Sequence, residues 1–295
     1  DWNTSNVTEM DRMFSEALSF NGDISGWDTG NVESMSYMFD GAISFNQEIG
    51  DWDTSNVTST VGLFSGAVSF NQEIGDWNVS NVNSMYFMFD NASSFNKDIS
   101  NWNTSEVRST FEMFDGAISF NGDISGWDTG NVETMRSMFS GALSFNRDIS
   151  GWDTGNVESM QSMFSGASSF NQDIGDWDVS NVTNMGNIFM DAKIFNQDIG
   201  NWNTTKVTNM GGMFRDATSF NQDVSKWDVS MVTNMQFMFD SSDLSSDNYD
   251  KLLTAWSQLT LKQAVVFTLG AVTYCNAAEA REKMITTHLW AITDG

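Results

Sequence analysis

Proline is absent from all 295 residues, and cysteine and histidine occur once each, as Cys275 and His288. A single thiol excludes a disulfide within the chain. Without proline, no turn gives up its backbone N–H, so the backbone is free to hydrogen-bond throughout. Basic residues are scarce: 13 Lys and Arg stand against 39 Asp and Glu, for a net charge of −26. Nucleic acid is thereby excluded as a partner, because a phosphate backbone is held by Lys and Arg. No apolar run is long enough to span a bilayer, so this segment is expected to make no membrane insertion.

What the chain does have is one 25-residue phrase, GWDTGNVESMQSMFSGASSFNQDIG at Gly151 to Gly175, written repeatedly without insertion. Copies open at Asp1, Gly26, Asp51, Asp76, Asn101, Gly126, Gly151, Asp176 and Asn201, and a partial tenth opens at Lys226. A fixed period of this length predicts an α/β repeat solenoid, in which each coil buries its apolar face only by stacking on its neighbours. Residues 1–240 are assigned to that array and 241–295 to a C-terminal α/β capping segment. The first coil has no polar cap, so the chain is read as a fragment of a longer protein or a mature piece of one, any signal peptide lying outside it, with self-association through the uncapped N-terminal coil as a further expectation.

With the first residue of each copy as column one, the constant columns are apolar. Column two is Trp, column seven Val, column fourteen Phe, column seventeen Ala, column twenty Phe and column twenty-four Ile, with Val224 the exception. Columns ten and thirteen are mostly Met. These residues are expected to form core ladders rather than a cofactor box.

The spacing Val7, Met10, Met13/Phe14, Ala17 fits one helical face, so each coil is expected to hold a short helix capped by Ser5 or its equivalent. Where column five is Gly30, Gly130 or Gly155, column eight is Glu33, Glu133 or Glu158, a carboxylate that would favour the helix dipole in place of the cap. The segment Asp23 to Thr29 is too short for a helix and is expected to be the strand. Strands stacked roughly 4.8 Å apart would give an array on the order of 45 to 50 Å long.

Asn fills column twenty-one from Asn21 to Asn221, where a ladder satisfying backbone groups at a bend is expected. Column twenty-three is acidic throughout. Stacked like charges repel, so these groups must be solvated, tied to backbone amides or bridged by cations. The metal alternative is a calcium-bridged ladder over Asp23, Glu48, Glu73, Asp98 and Asp123.

Columns eleven and twelve are free, and they hold the aromatic residues of the array that lie outside the ladders: Tyr37, Tyr86, Phe87, Phe111 and Phe237. A variable, partly aromatic stripe on a rigid scaffold fits a ligand-binding surface, drift at unconstrained positions being the alternative. Thr60 and Thr110 replace Met in column ten, where looser packing is expected.

Beyond Asp240 the phrase stops. Tyr249, Leu252, Leu253 and Trp256 have helical spacing after a polar cap at Asp247-Asn248. Val265 to Phe267 reads as a strand, Asn276 as the cap of a helix from Ala277 to about Thr287, and Trp290 to Thr293 as a second strand. Cys275 and His288 fall at opposite ends of that helix, roughly 20 Å apart, which excludes a Cys-His nucleophilic pair.

The phrase WDTSNVTxMxxMFxGAxSFNQDIxxWD, present as Trp152 to Asp178 with departures at Gly155 and Glu158, resembles the BspA-like leucine-rich-repeat surface proteins, including the mycoplasma-type lipoproteins of unknown function. The tail is similar too, in LSSDNYDKLLTAW and YCN...AR...ITDG. The resemblance implies a leucine-rich-repeat-like solenoid, extracellular or at the cell surface, with adhesion or binding of a host or matrix component as its role. It carries no catalytic residues.

The leading expectation is a cell-surface adhesion module that recognises a protein or glycan. The alternatives are a structural spacer within a larger surface protein, and an ice-binding or cation-dependent surface protein suggested by the Thr ladder of column four, which Val79, Val179 and Val229 interrupt. An enzyme is not expected, since no nucleophile, base and metal are grouped.

Overall fold

The computed structural model describes residues 2–295. Its elements are α1 (Ser246–Trp256), β1 (Val266–Thr268), α2 (Ala278–His288) and β2 (Ala291–Thr293), all beyond the repeats. The repeats themselves are successions of tight turns, laid side by side so that residues 25 apart come together. Parallel bridges run along column nine from Glu9 to Ser34 to Ser59, and from Ser84 to Asn234.

The helix expected in each repeat does not form, and the backbone hydrogen bonds show why. In the first repeat the amides of Met10, Arg12, Phe14 and Glu16 donate to the carbonyls of Ser34, Ser36, Met38 and Asp40 in the next, at 2.6 to 3.0 Å. The intervening amides of Met13, Ser15 and Ala17 close local turns onto the residues three before them. An α-helix would direct all of them along its own axis.

Alternation of this kind requires left-handed residues, and columns twelve and sixteen supply them in every repeat. Column sixteen carries Gly41, Gly66, Gly116, Gly141 and Gly166 with φ between 63° and 72°, and Asn91, Asp191 and Asp216 with φ between 54° and 59°. These are the residues that tolerate that region best.

The caps and the strand are corrected likewise. Ser5 caps nothing; its amide donates to the Asn3 carboxamide oxygen at 3.2 Å. Gly30, Gly130 and Gly155 donate in the same way to Asp28, Asp128 and Asp153, so no serine is missed and no compensating Glu is required. The expected strand from Asp23 to Thr29 is bent at its centre: Trp27 N–H donates to the Ile24 carbonyl at 3.1 Å, and Asp23 accepts from the Ser25 amide at 3.0 Å.

The core is a set of aromatic ladders. Within each repeat the column-fourteen and column-twenty rings stack 3.7 to 4.0 Å apart, and each column-fourteen ring lies 5.4 to 5.8 Å from its equivalent in the next repeat. From Trp52 to Trp227 each indole N–H donates to the column-twenty-four carbonyl two repeats back, as Trp152 does to Ile124 at 3.1 Å. That buried bond explains why the column is Trp and never Phe. The Asn ladder also forms: each Asn side chain accepts from the amide of the next Asn, as Asn21 does from Asn46 at 2.9 Å.

The C-terminal elements continue these ladders. Ser245 N–H takes the place of the next Asn amide on the Asn221 side chain, at 2.9 Å. Asn248 Nδ2 bonds the Asn221 carbonyl as Gln222 bonds that of Asn196. Phe267 of β1 bridges to Met235, and Tyr249, Trp256 and Trp290 pack around its ring. The cap of α1 is Ser245, which accepts from Asn248 N–H, two residues before the expected Asp247-Asn248. Asn276 does not cap α2, whose cap residue is Ala277 with no side-chain bond; Asp250 of α1 instead holds the lead-in, accepting from the amides of Cys275, Asn276 and Ala277 at 2.7 to 3.1 Å.

Two places interrupt the core. Thr60 is buried with its hydroxyl unpartnered, and the column-nine ladder skips the step from Ser59 to Ser84 beside it. At Thr110 the absent Met leaves an apolar cavity of about 10 Å³ between Met85, Met135 and Trp127, room for one water. Thr60→Val, which keeps the shape and removes the hydroxyl, is expected to stabilise the chain by about 1 kcal/mol, and Thr110→Met by a similar amount. Thermal melts of each variant check this; a lower Tm for Thr60→Val would mean that its hydroxyl is satisfied.

Candidate functional site

Columns eleven and twelve form the outward corner of each repeat, since columns ten, thirteen, fourteen and seventeen are committed to the core. The five aromatic residues expected there do not form one surface. Tyr86, Phe87 and Phe111 converge: ring centroids are 4.9 Å apart for Tyr86–Phe87, 4.5 Å for Tyr86–Phe111 and 5.2 Å for Phe87–Phe111. Phe111 is buried beneath the other two, which are half-buried. Tyr37 stands apart, lying against Gly62, where its ring leaves no room for a Cβ, and under the Arg12 guanidinium at 4.5 Å. Phe237 is exposed at the junction with β1, its amide donating to the Thr268 hydroxyl.

Three carboxylates adjoin the triad. Asp90 lies one turn beyond Phe87, whose carbonyl accepts its amide at 3.1 Å. Asp115 occupies the same column in the next repeat, and Glu112 holds there the column that Phe87 holds. Burial, then the charge of Asp115, pushes the Asp90 carboxyl up to about 6. Burial raises Glu112 and Asp115 as well. The Arg136 guanidinium lies over the Phe111 ring at 4.8 Å and partly offsets the shift of Glu112.

A stripe that sequence reasoning missed runs along column eighteen, where Leu18, Ile43, Val68, Ile118 and Leu143 are exposed. Their position beside the core alanine of column seventeen makes them look like core. The signal to the contrary is the polar substitution of the same column in Ser93, Ser168, Lys193 and Thr218.

Other candidates are absorbed by the scaffold. In column twenty-three, hydrogen bonds from Ser25, Ser100 and Ser125 lower the carboxyls of Asp23, Asp98 and Asp123. Glu73 pairs with Lys97 at 2.7 Å, and Glu48 is exposed. No three acidic, His or Cys side chains converge on a metal position among the described residues. The threonines of column four are buried, and the hydroxyls of Thr29, Thr54, Thr104, Thr129, Thr154 and Thr204 donate to carbonyls of the next repeat, so that ladder cannot meet an ice surface. Cys275 is exposed before α2 and His288 is its last residue, so the helix separates them by about 16 Å. Among the described residues no helix is long and apolar enough to cross a membrane.

Two predictions follow from the carboxylates. Asp90 has a folded-state pKa above that of the unfolded chain, so its protonated form is favoured by folding and its cost is felt above pH 6. Stability should therefore rise as pH falls from about 6 toward 4, and Asp90→Asn should add on the order of 1 kcal/mol at pH 7.5 and nothing near pH 4, read from denaturant melts. Because column twenty-three is held by its own backbone, millimolar calcium and chelator should give the same Tm; a calcium-dependent rise would restore the cation ladder.

No curated protein and no solved structure matches the chain. The family described as "Mycoplasma protein of unknown function, DUF285" matches it three times, over residues 1–102, 72–173 and 144–256. Each match takes in several of the stacked repeats, and together they reach from the first repeat to the end of α1. The turn-built array with its free aromatic corner is thus that of a tandem repeat protein, and the chain belongs to the Mycoplasma DUF285 family.

Proposed function

We propose that the chain is a binding module of the cell surface, a leucine-rich-repeat-like solenoid of the BspA-like kind that recognises a protein or glycan through Tyr86, Phe87 and Phe111. The observation that carries this reading is the backbone conformation of column twelve. Gly62 and Gly212 meet its left-handed geometry freely, yet Tyr37, Phe87 and Phe237 adopt it with φ of 57° to 58°. A bulky side chain in that region costs about 1–2 kcal/mol. Strain of this kind is characteristically kept where it serves binding. At Phe87 the strained residue also joins two neighbouring rings in a rigid, partly exposed cluster. Aromatic side chains presented on a fixed backbone lose little entropy on binding, which suits them to recognition.

The reading assigns the chain no catalysis and places it outside the cell on the strength of the family resemblance. A spacer function is the second reading, favoured by ladders that run from repeat to repeat and make length independent of surface identity. The two separate in one experiment. The wild type and a Tyr86→Ser/Phe87→Asn variant, in which Asn keeps the left-handed backbone, are screened against glycans and matrix proteins. A binding module predicts a ligand whose affinity falls at least about tenfold in the variant while the Tm is retained. Equal binding by both proteins would remove the site assignment, and an absence of any ligand would favour the spacer.

A further inference from the structure

We propose that the Tyr86, Phe87 and Phe111 cluster, with Glu112, Asp115 and Asp90 beside it, docks the guanidinium groups of an arginine-bearing segment of another protein. The inference rests on the binding reading above and names the chemistry of the ligand.

The chain's own arginines supply the first argument. Arg12 lies over Tyr37, Arg136 over Phe111 and Arg215 over Phe237, at 4.5, 4.8 and 5.5 Å from the ring centroids. Three of the five rings in the free columns are thus already covered by a guanidinium, and each guanidinium comes from an adjoining repeat. Tyr86 and Phe87 are the two rings over which no cation lies among the described residues. The corner is built to take a stacked guanidinium, and with Arg136 committed to the buried Phe111, Tyr86 and Phe87 are left without one.

The carboxylates supply the second. Asp90, Glu112 and Asp115, like most acids of the array, form no ion pair among the described residues, but unlike the solvated ones they lose water to burial. Asp90 receives only neutral donors, Asn91 at 2.8 Å and Ser65 at 3.5 Å. Partial burial makes such charges expensive to leave unpaired, and an incoming cation relieves them. A neutral sugar would stack on the same rings and leave the carboxylates as they are. Arginine fits better than lysine, because a planar guanidinium stacks on a ring while donating at its edge to a carboxylate. The net charge of −26 steers a basic segment toward the array, and the rings decide where it settles.

The test uses the full chain with hexa-arginine and hexa-lysine as probes in about 150 mM salt, where long-range attraction is screened. Hexa-arginine is expected to bind roughly fivefold more tightly than hexa-lysine, and Tyr86→Ser/Phe87→Asn, which changes no charge, to weaken hexa-arginine about five- to tenfold and abolish the preference. Phe87→Leu, which keeps the bulk and loses the ring face, should act in the same direction. Glu112→Gln/Asp115→Asn should weaken binding more than Asp148→Asn/Asp173→Asn, which removes equal charge elsewhere on the array. Equal affinity for the two peptides, unaltered binding by the ring variants, or equal losses from the two acid pairs would each overturn the proposal. If a neutral ligand from the surface screen still requires Tyr86 and Phe87, the arginine inference falls and the binding reading stands; if no ligand requires them, both fall.

Discussion

Everything in the array depends on where its backbone amides point. In the stretch from column ten to column seventeen, every second amide leaves its own repeat and bonds a carbonyl of the next, and the amides between them close turns of three residues. A repeat built this way cannot satisfy its own hydrogen bonds, because half of its donors in that stretch find acceptors only in a neighbour. The side chains follow the same logic. Stacking at a fixed period puts identical rings above one another, so one Phe or Trp per repeat becomes a continuous apolar column.

That constraint explains what was legible in the sequence. Residues such as Phe14, Trp27, Ala42 and Asn46 recur every 25 positions, and their ladder roles could be read without coordinates. The local conformation could not be read from the same pattern. Val7, Met10, Met13 and Ala17 recur at intervals of three and four, and a ribbon of three-residue turns places such residues on one face as well as a helix does. The distinguishing residues were Gly66, Asn91 and Asp191 in column sixteen, which suit a left-handed corner and weaken a helix. Thr29 and its equivalents misled for a different reason: a hydroxyl ladder looks alike in sequence whether it faces solvent or the next carbonyl.

The candidate site was partly legible. Its residues stood out because the repetition separates scaffold columns from free ones within a single chain. The clustering of Tyr86, Phe87 and Phe111 was not foreseeable, since it requires knowing that columns eleven and twelve of one repeat touch column eleven of the next. The carboxylates were overlooked because column fifteen mixes Ser15, Asp40, Ser65, Asp90 and Arg215, and only packing shows that Asp90 and Asp115 lose much of their water. Column eighteen was hidden by its apolar neighbour in the chain.

The repeat-to-repeat hydrogen bonds from columns ten to sixteen also share one direction. Met10, Arg12, Phe14 and Glu16 donate toward the C-terminal end, as do Met210, Gly212, Phe214 and Asp216 near the other extremity, whereas the amides of columns eight, nineteen and twenty-one, such as Glu33, Ser44 and Asn46, donate the opposite way. From the fourth repeat to the ninth, four such peptide dipoles oppose two or three, and the excess adds along the stack as it does along a helix. The array is thus electrically polar along its stacking direction, with this set of amide hydrogens directed toward the C-terminal elements.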